Sequence, residues 1–169
     1  MRRRTLLQLG IGSAVALAAI GGGIALLLPA LDGDGRLTAS GRAVMRGVAR
    51  AVLDGVLPVD PGARDSALAA HLRRLDDTLG AFPSATRGEL SQLLSLLATA
   101  PGRLALAGLR PSWDMADVAA MQQALQDMRS STLSVRQQAY HALRDLTNAA
   151  WFADPGAWPA LGYDGPVTV

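Results

Sequence analysis

The chain has 169 residues and no cysteine, and its 16 basic Lys and Arg residues, all of them arginines, face 14 acidic residues. Three of the arginines stand at positions 2–4, so the remaining 13 nearly balance the 14 acids. They are scattered among Asp residues rather than gathered into a stripe, which argues against a nucleic-acid-binding protein. The lack of cysteine excludes disulfides, covalently attached haem and thiolate metal clusters.

The N-terminus resembles a twin-arginine (Tat) export signal. Arg3 and Arg4 are followed by one spacer residue and then by Leu6 and Leu7, and an uncharged, mostly apolar run covers residues 9–28. A positive region ahead of an apolar run is typical of export signals. Because the Tat route mostly carries proteins that have already folded, we predict that this chain is folded before the Tat translocase exports it to the periplasm.

Residues 1–30 are interpreted as this signal, and its fate has two open outcomes. The nearest candidate for a cleavage site is Leu28-Pro29-Ala30. If the segment is not cleaved, its run of about 20 residues rises ~30 Å as a helix, which is enough to anchor the chain in the inner membrane. Both outcomes leave the rest of the chain outside the cytoplasm.

A helical domain is predicted over residues 42–150, after a linker at 31–41 that is rich in glycine and other small residues. In the first helix, valines recur at every fourth position from Val44 to Val56, and Pro58 is expected to end it. About 139 residues follow position 30, enough for one domain with a buried core.

The second helix has the clearest start signal in the chain. Asp60 can cap the helix and Pro61 suits its first turn. A leucine stripe runs from Leu68 to Leu79. Asp76 and Asp77, one turn from two arginines, are interpreted as a solvated ion-pair face.

The remaining pattern is also helical. A third helix carries leucines over residues 90–97, and a short apolar piece ends at Leu109. Ser112 or Asp114 is expected to cap a fourth long helix, and a fifth begins near Ser134. No segment shows convincing strand alternation, so the sequence predicts an all-α fold, a single small bundle of about five helices behind an N-terminal signal or anchor helix.

The tail at residues 151–169 is irregular, aromatic and rich in Pro and Gly. Its large side chains are Trp151, Phe152, Trp158 and Tyr163. They can fold back onto the bundle, because aromatic side chains bury a large area. They can also dock on another protein, because Trp and Tyr are typical interface anchors. Both interpretations can hold, so these four residues are the candidates for partner binding.

The search for catalytic chemistry gives little. His141 lies one turn before Asp145, a spacing that suits an oriented base or a metal ligand pair. A solvated histidine beside Arg144 is the favoured interpretation. His71 lies beside the leucine stripe and is expected to border the core. We therefore predict no catalytic, cofactor-binding or metal-binding residues in this chain.

Several segments, in this order, resemble the gluconate 2-dehydrogenase subunit 3 family. The resemblance includes the Tat leader and extends over nearly the whole chain. It is carried by residues 57–63 (LPVDPGA), 143–147 (LRDLT), Trp151-Phe152, Trp158 and 161–166 (LGYDGP).

The resemblance implies a non-catalytic small subunit of a periplasmic dehydrogenase complex. In such complexes a large FAD subunit of the glucose-methanol-choline oxidoreductase class oxidises a sugar, an alcohol or a related compound. A multihaem cytochrome c subunit often accepts the electrons. The small subunit has a chaperone-like role and carries the large one through the Tat pathway, so FAD and haem c belong to partners and no cofactor to this chain.

Two alternatives come from other classes of protein. One is a free-standing helical envelope protein, anchored through residues 9–28, that binds lipid or another envelope component. The other is a small periplasmic enzyme that uses His141 and Asp145.

Overall fold

Six α-helices and a closing 3-10 helix make up most of the fold in a computed structural model, which describes residues 28–163 and residue 165. An all-α bundle is therefore confirmed for this part of the chain, with one α-helix more than expected. The α-helices are α1 (Ala39–Val52), α2 (Pro61–Gly80), α3 (Ser84–Ala98), α4 (Ala100–Ala107), α5 (Val118–Arg129) and α6 (Ser134–Phe152), and the 3-10 helix is Pro155–Leu161.

Helix α1 lies at the centre of the bundle and contacts α2, α3, α5 and α6. Its valine period places Val44 and Val48 in the core, where both are fully buried. Gly47 lies against Trp113, and a Cβ at this position would be 3.0 Å from the Trp113 Cβ and carbonyl oxygen. The glycine therefore allows the loop before α5 to pack tightly on α1.

The buried side chains form two clusters. The main core joins α1 to all five other helices, and its largest fully buried members include Met45, Leu75, Leu97, Met121, Met128 and Leu143. The second cluster lies where the end of α1 meets α2 and the end of α6. It consists of Ala49, Leu53, Leu68 and Trp151, with Val52, Leu57, Ala67, Phe152 and Ala157 packed against it.

The helix ends follow local signals only in part. Asp60 caps α2 as expected, since its carboxylate accepts from the Ala63 N–H at 2.7 Å, and Pro61 is the first helical residue. Helix α1 already ends at Val52, and turns follow as far as Leu57. Asp117 caps α5 in place of the expected Ser112 or Asp114.

Residues 31–41 do not form a free tether. Leu31 and Leu37 are both buried in the main core and face each other in an isolated antiparallel bridge. The Ala30 N–H donates to the Ser95 hydroxyl of α3 at 2.9 Å. Two leucines that flank a glycine-rich turn thus fix this segment to the bundle. The small residues between the leucines make the segment resemble a linker in the sequence.

Asp76 explains part of this attachment, and it is not a solvated residue. Its carboxylate accepts from the Leu37 N–H at 2.9 Å and pairs with Arg42 of α1. The side chain is largely buried in consequence. Asp77, its neighbour, is exposed, so the interpretation of a shared ion-pair face is wrong for Asp76.

Candidate functional site

The export-signal residues Arg3, Arg4, Leu6 and Leu7 lie outside the described residues, as does the apolar run up to residue 27. Among residues 28–163 and 165, no helix has both the length and the apolar character needed to cross a bilayer. Export and membrane anchoring therefore stay predictions.

The four aromatic candidates for partner binding differ in how far their side chains are exposed to solvent. Trp151 is only 8% exposed and belongs to the second cluster, and Phe152 is half-buried against it. Trp158 is half-buried on the 3-10 helix, whereas Tyr163 is 47% exposed. Trp151 thus folds back onto the bundle, as one of the two interpretations expected, and docking of the tail on another protein stays a prediction.

Arg74 of α2 holds the end of α6 in place. Its Nε donates to the Ala150 carbonyl at 2.9 Å, and its Nη1 lies 3.0 Å from the Asp154 carboxylate. The guanidinium carbon is 5.9 Å from the centre of the Trp151 ring, within the range of a cation–π contact. Arg74 is one of the two arginines near Asp76 and Asp77 that are interpreted from the sequence as a solvated face, and its actual partners could not be inferred because they lie about 80 residues further along the chain.

Trp158 lies on the 3-10 helix, and Tyr163 follows two residues after its end. Asp154 accepts from the Gly156 N–H at 2.9 Å and so caps the helix. The Trp158 indole N–H donates to the Phe152 carbonyl at 2.8 Å, which ties the 3-10 helix back to α6. The Trp158 and Tyr163 rings contact each other with their centres 5.4 Å apart. We call Trp158 and Tyr163 the aromatic pair.

His71 is completely buried beside Trp151. The two ring centres are 6.0 Å apart, and neither nitrogen of His71 has a hydrogen-bond partner, nor does the Trp151 indole N–H. Burial, and then the charge of nearby Arg74, lower the pKa of His71 from 6.5 to about 4. The histidine is therefore neutral in the folded protein at pH 7, and it lies deeper in the fold than the predicted border of the core.

The histidine and carboxylate of the enzyme alternative are both exposed on α6. His141 contacts the Tyr140 ring edge-on at 5.2 Å, and Asp145 pairs with Arg144 at 3.2 Å. Within the described part of the chain, no hydrogen bond joins His141 to Asp145, and no group of three His, Asp or Glu residues could hold a metal ion.

A small pocket that the sequence did not indicate lies near the start of α2. It has a volume of about 250 Å³ and is lined mainly by Arg50, Asp54, Leu57, Val59, Arg64 and Val118. We call it the Arg50–Arg64 pocket. In the sequence, the turn signal Asp54-Gly55 between apolar residues indicates that α1 ends before the last of its regularly spaced valines.

The chain matches no family model, no curated protein and no solved structure.

Proposed function

We propose that this protein is a non-catalytic small subunit that binds a folded, FAD-containing dehydrogenase and carries it through the Tat pathway to the periplasm. The proposal combines the twin-arginine pattern of residues 3–7 with the ordered resemblance to the gluconate 2-dehydrogenase subunit 3 family. FAD then belongs to the large partner, and haem c to a cytochrome partner where there is one.

The observation that carries the proposal is the aromatic pair. Trp and Tyr supply much of the binding energy at protein interfaces, because a large apolar ring ends in a polar group. Here the Trp158 indole is already bonded to the Phe152 carbonyl, and Tyr163 packs on the Trp158 ring while half of it faces solvent. Since these side chains are already ordered before binding, they lose less conformational entropy when a partner contacts them.

The attachment of the tail also suits a carrier. Arg74 bonds to Ala150 and Asp154, so the chain enters the 3-10 helix in a fixed direction. Trp151 buries its ring in the second cluster immediately before this point. A partner bound to the aromatic pair is thus attached to the folded bundle.

Affinity purification of the full chain from the native host tests the binding step. We expect a protein of the glucose-methanol-choline class to co-purify, with FAD detected by its absorbance. The variant Tyr163→Ala should lower the recovered flavin several-fold, while Leu133→Ala, which truncates another exposed apolar residue, should leave it unchanged. Flavin-free preparations, or equal losses in the two variants, contradict the proposal.

Export is tested in the same host. Deletion of this chain should leave the co-purified flavoprotein in the cytoplasm, and so should the replacement of Arg3 and Arg4 by Lys. Export of the flavoprotein without this chain contradicts the carrier role. Export of both proteins in the double-lysine variant contradicts the Tat assignment alone.

A further inference from the structure

The Arg50–Arg64 pocket is lined by both apolar and positively charged side chains. Leu57, Val59 and Val118 supply apolar surface, and two arginines supply positive charge. Val59 is 89% exposed, and Val56, three residues earlier, is exposed as well. These exposed apolar groups beside charged ones give the recess the mixed lining that a partner's side chains could cover.

The charges of the pocket favour an anion. Arg64 is held by main-chain carbonyls, because its Nε donates to the Pro58 oxygen at 2.9 Å and its Nη2 lies 3.5 Å from the Val59 oxygen. These neutral acceptors orient the guanidinium without cancelling its charge. Arg50 is half-buried and takes part in none of the ion pairs within the described residues.

Asp54 compensates only part of this charge. Its carboxylate accepts from the Gln122 side chain of α5 at 3.2 Å, and the same amide nitrogen donates to the Ala51 carbonyl at 3.3 Å. Two guanidinium groups and one carboxylate leave a net positive pocket. Arginine binds carboxylates through two parallel hydrogen bonds, which add geometric specificity to the attraction between the charges.

The volume of the pocket limits the size of the group that can bind in it. Its volume of about 250 Å³ is below the roughly 300–1,000 Å³ of typical small-molecule sites, so a group as large as FAD or haem does not fit. A single side chain does. An apolar rim beside two arginines matches a peptide that places an aliphatic residue next to an acidic one, whereas free phosphate would leave the valines uncovered.

Leu57 connects this pocket to the aromatic tail. It lines the pocket and also packs against the second cluster, as do Phe152 and Ala157. We propose that the Arg50–Arg64 pocket binds an extended segment of a partner protein in which Asp or Glu stands next to Val, Leu or Ile. The inference rests on the proposed role as a partner-binding subunit and adds a second, charge-specific contact to the aromatic pair.

Site-specific photo-crosslinking in the native host tests this contact with the full chain. The photoreactive residue p-benzoylphenylalanine replaces Val59, whose exposure makes the replacement harmless to the fold, and Leu133 provides a control position outside the pocket. Mass spectrometry then sequences the peptide that is captured. We expect a peptide from another protein in which Asp or Glu stands directly next to Val, Leu or Ile.

Charge variants test whether Arg50 contributes to binding of the partner peptide. In the Val59 crosslinking background, Arg50→Glu should lower the yield about tenfold, which corresponds to ~1.4 kcal/mol. Arg50→Gln should lower it about threefold, and Arg129→Glu, at an exposed arginine on α5, should leave it unchanged. If circular dichroism shows that Arg50→Glu is unfolded, Arg50→Gln decides.

Several outcomes overturn the inference. They are a yield at Val59 no higher than at Leu133, capture of a lipid or of a second copy of this chain, capture of a peptide without a carboxylate, and a yield that Arg50→Gln does not change. The two proposals fail separately. An acidic, aliphatic peptide from a protein without flavin supports the pocket and contradicts the dehydrogenase partner. A flavoprotein whose co-purification depends on Tyr163 but which is not captured at Val59 does the opposite.

Discussion

Trp113 and Trp151 are both buried indoles, but their surroundings differ. The Trp113 N–H donates to the Leu97 carbonyl at 2.9 Å, and its ring packs against Gly47 in the main core. The Trp151 N–H has no partner, and neither nitrogen of His71 beside it has one. A buried polar group without a hydrogen bond costs about 1–3 kcal/mol, so we expect the second cluster to be the less stable of the two.

The location of this weaker cluster is informative. The main core links α1 to the other helices, whereas the second cluster supports the end of α6 and the 3-10 helix with the aromatic pair. Regions that bind partners are drawn from the less stable parts of a protein. We therefore expect a stable bundle and, at the second cluster, a softer platform for the tail, and each prediction below tests that division.

The largest effect is expected at Trp113. Replacement by Ala removes the indole from the main core and leaves the Leu97 carbonyl without its donor. We expect the free energy of unfolding to fall by about 3–5 kcal/mol, as for other large aromatic truncations. Urea unfolding followed by far-ultraviolet circular dichroism measures it. A loss below that of Trp151→Ala would mean that Trp113 does not belong to the more stable region.

Acid should destabilise the second cluster through His71. The folded protein resists protonation of this histidine until the pH approaches its lowered pKa of about 4, whereas the unfolded chain takes up the proton near pH 6.5. Stability is therefore fully present above pH 6.5 and is lost as the pH falls towards 4, by about 3 kcal/mol in all. Urea unfolding at a series of pH values measures this slope.

Two variants identify the group responsible for the acid effect. His71→Leu removes the titrating ring at similar bulk and should flatten the profile between pH 6.5 and 4. His141→Ala, which changes the exposed histidine of α6, should leave the slope as it is in the parent protein. A slope that survives His71→Leu would assign the acid sensitivity to other groups.

Phenylalanine substitutions compare the two indole N–H groups directly. Trp113→Phe breaks the bond to Leu97 and strands a buried carbonyl, which should cost about 1–3 kcal/mol. Trp151→Phe breaks no hydrogen bond and should cost about 1 kcal/mol or less, because it also removes an unpaired donor. Equal losses in urea unfolding would show that the Trp151 N–H is as well satisfied as that of Trp113.

The parts of the fold that the sequence predicted are those set by neighbours in the chain. Asp60 and Pro61 act within one turn of α2, and the leucine spacing of that helix already defines its buried face. Such signals are local, because capping and helical periodicity both depend on residues three or four positions apart. The all-α class follows from them without knowledge of the packing.

The parts that could not be predicted depend on distant partners. Asp76 is buried because the Leu37 N–H, 39 residues earlier, donates to it, and Arg74 bonds to Ala150, 76 residues later. Nothing near either residue in the sequence indicates these contacts. The same holds for the Arg50–Arg64 pocket, which forms only when the start of α5 reaches the turn after α1.

The smallest effect on stability is expected at the outer edge of the softer platform. Tyr163 contacts the Trp158 ring but remains 47% exposed, so Tyr163→Ala should change the free energy of unfolding by less than about 0.5 kcal/mol. The same variant should lose flavoprotein in co-purification, because the exposed half of the ring is what a partner can cover. A residue that stabilises only its own fold would show the reverse, a measurable loss in urea unfolding with normal recovery of flavin. The two measurements on this one variant thus separate an accessible binding platform from a tail that merely covers the second cluster.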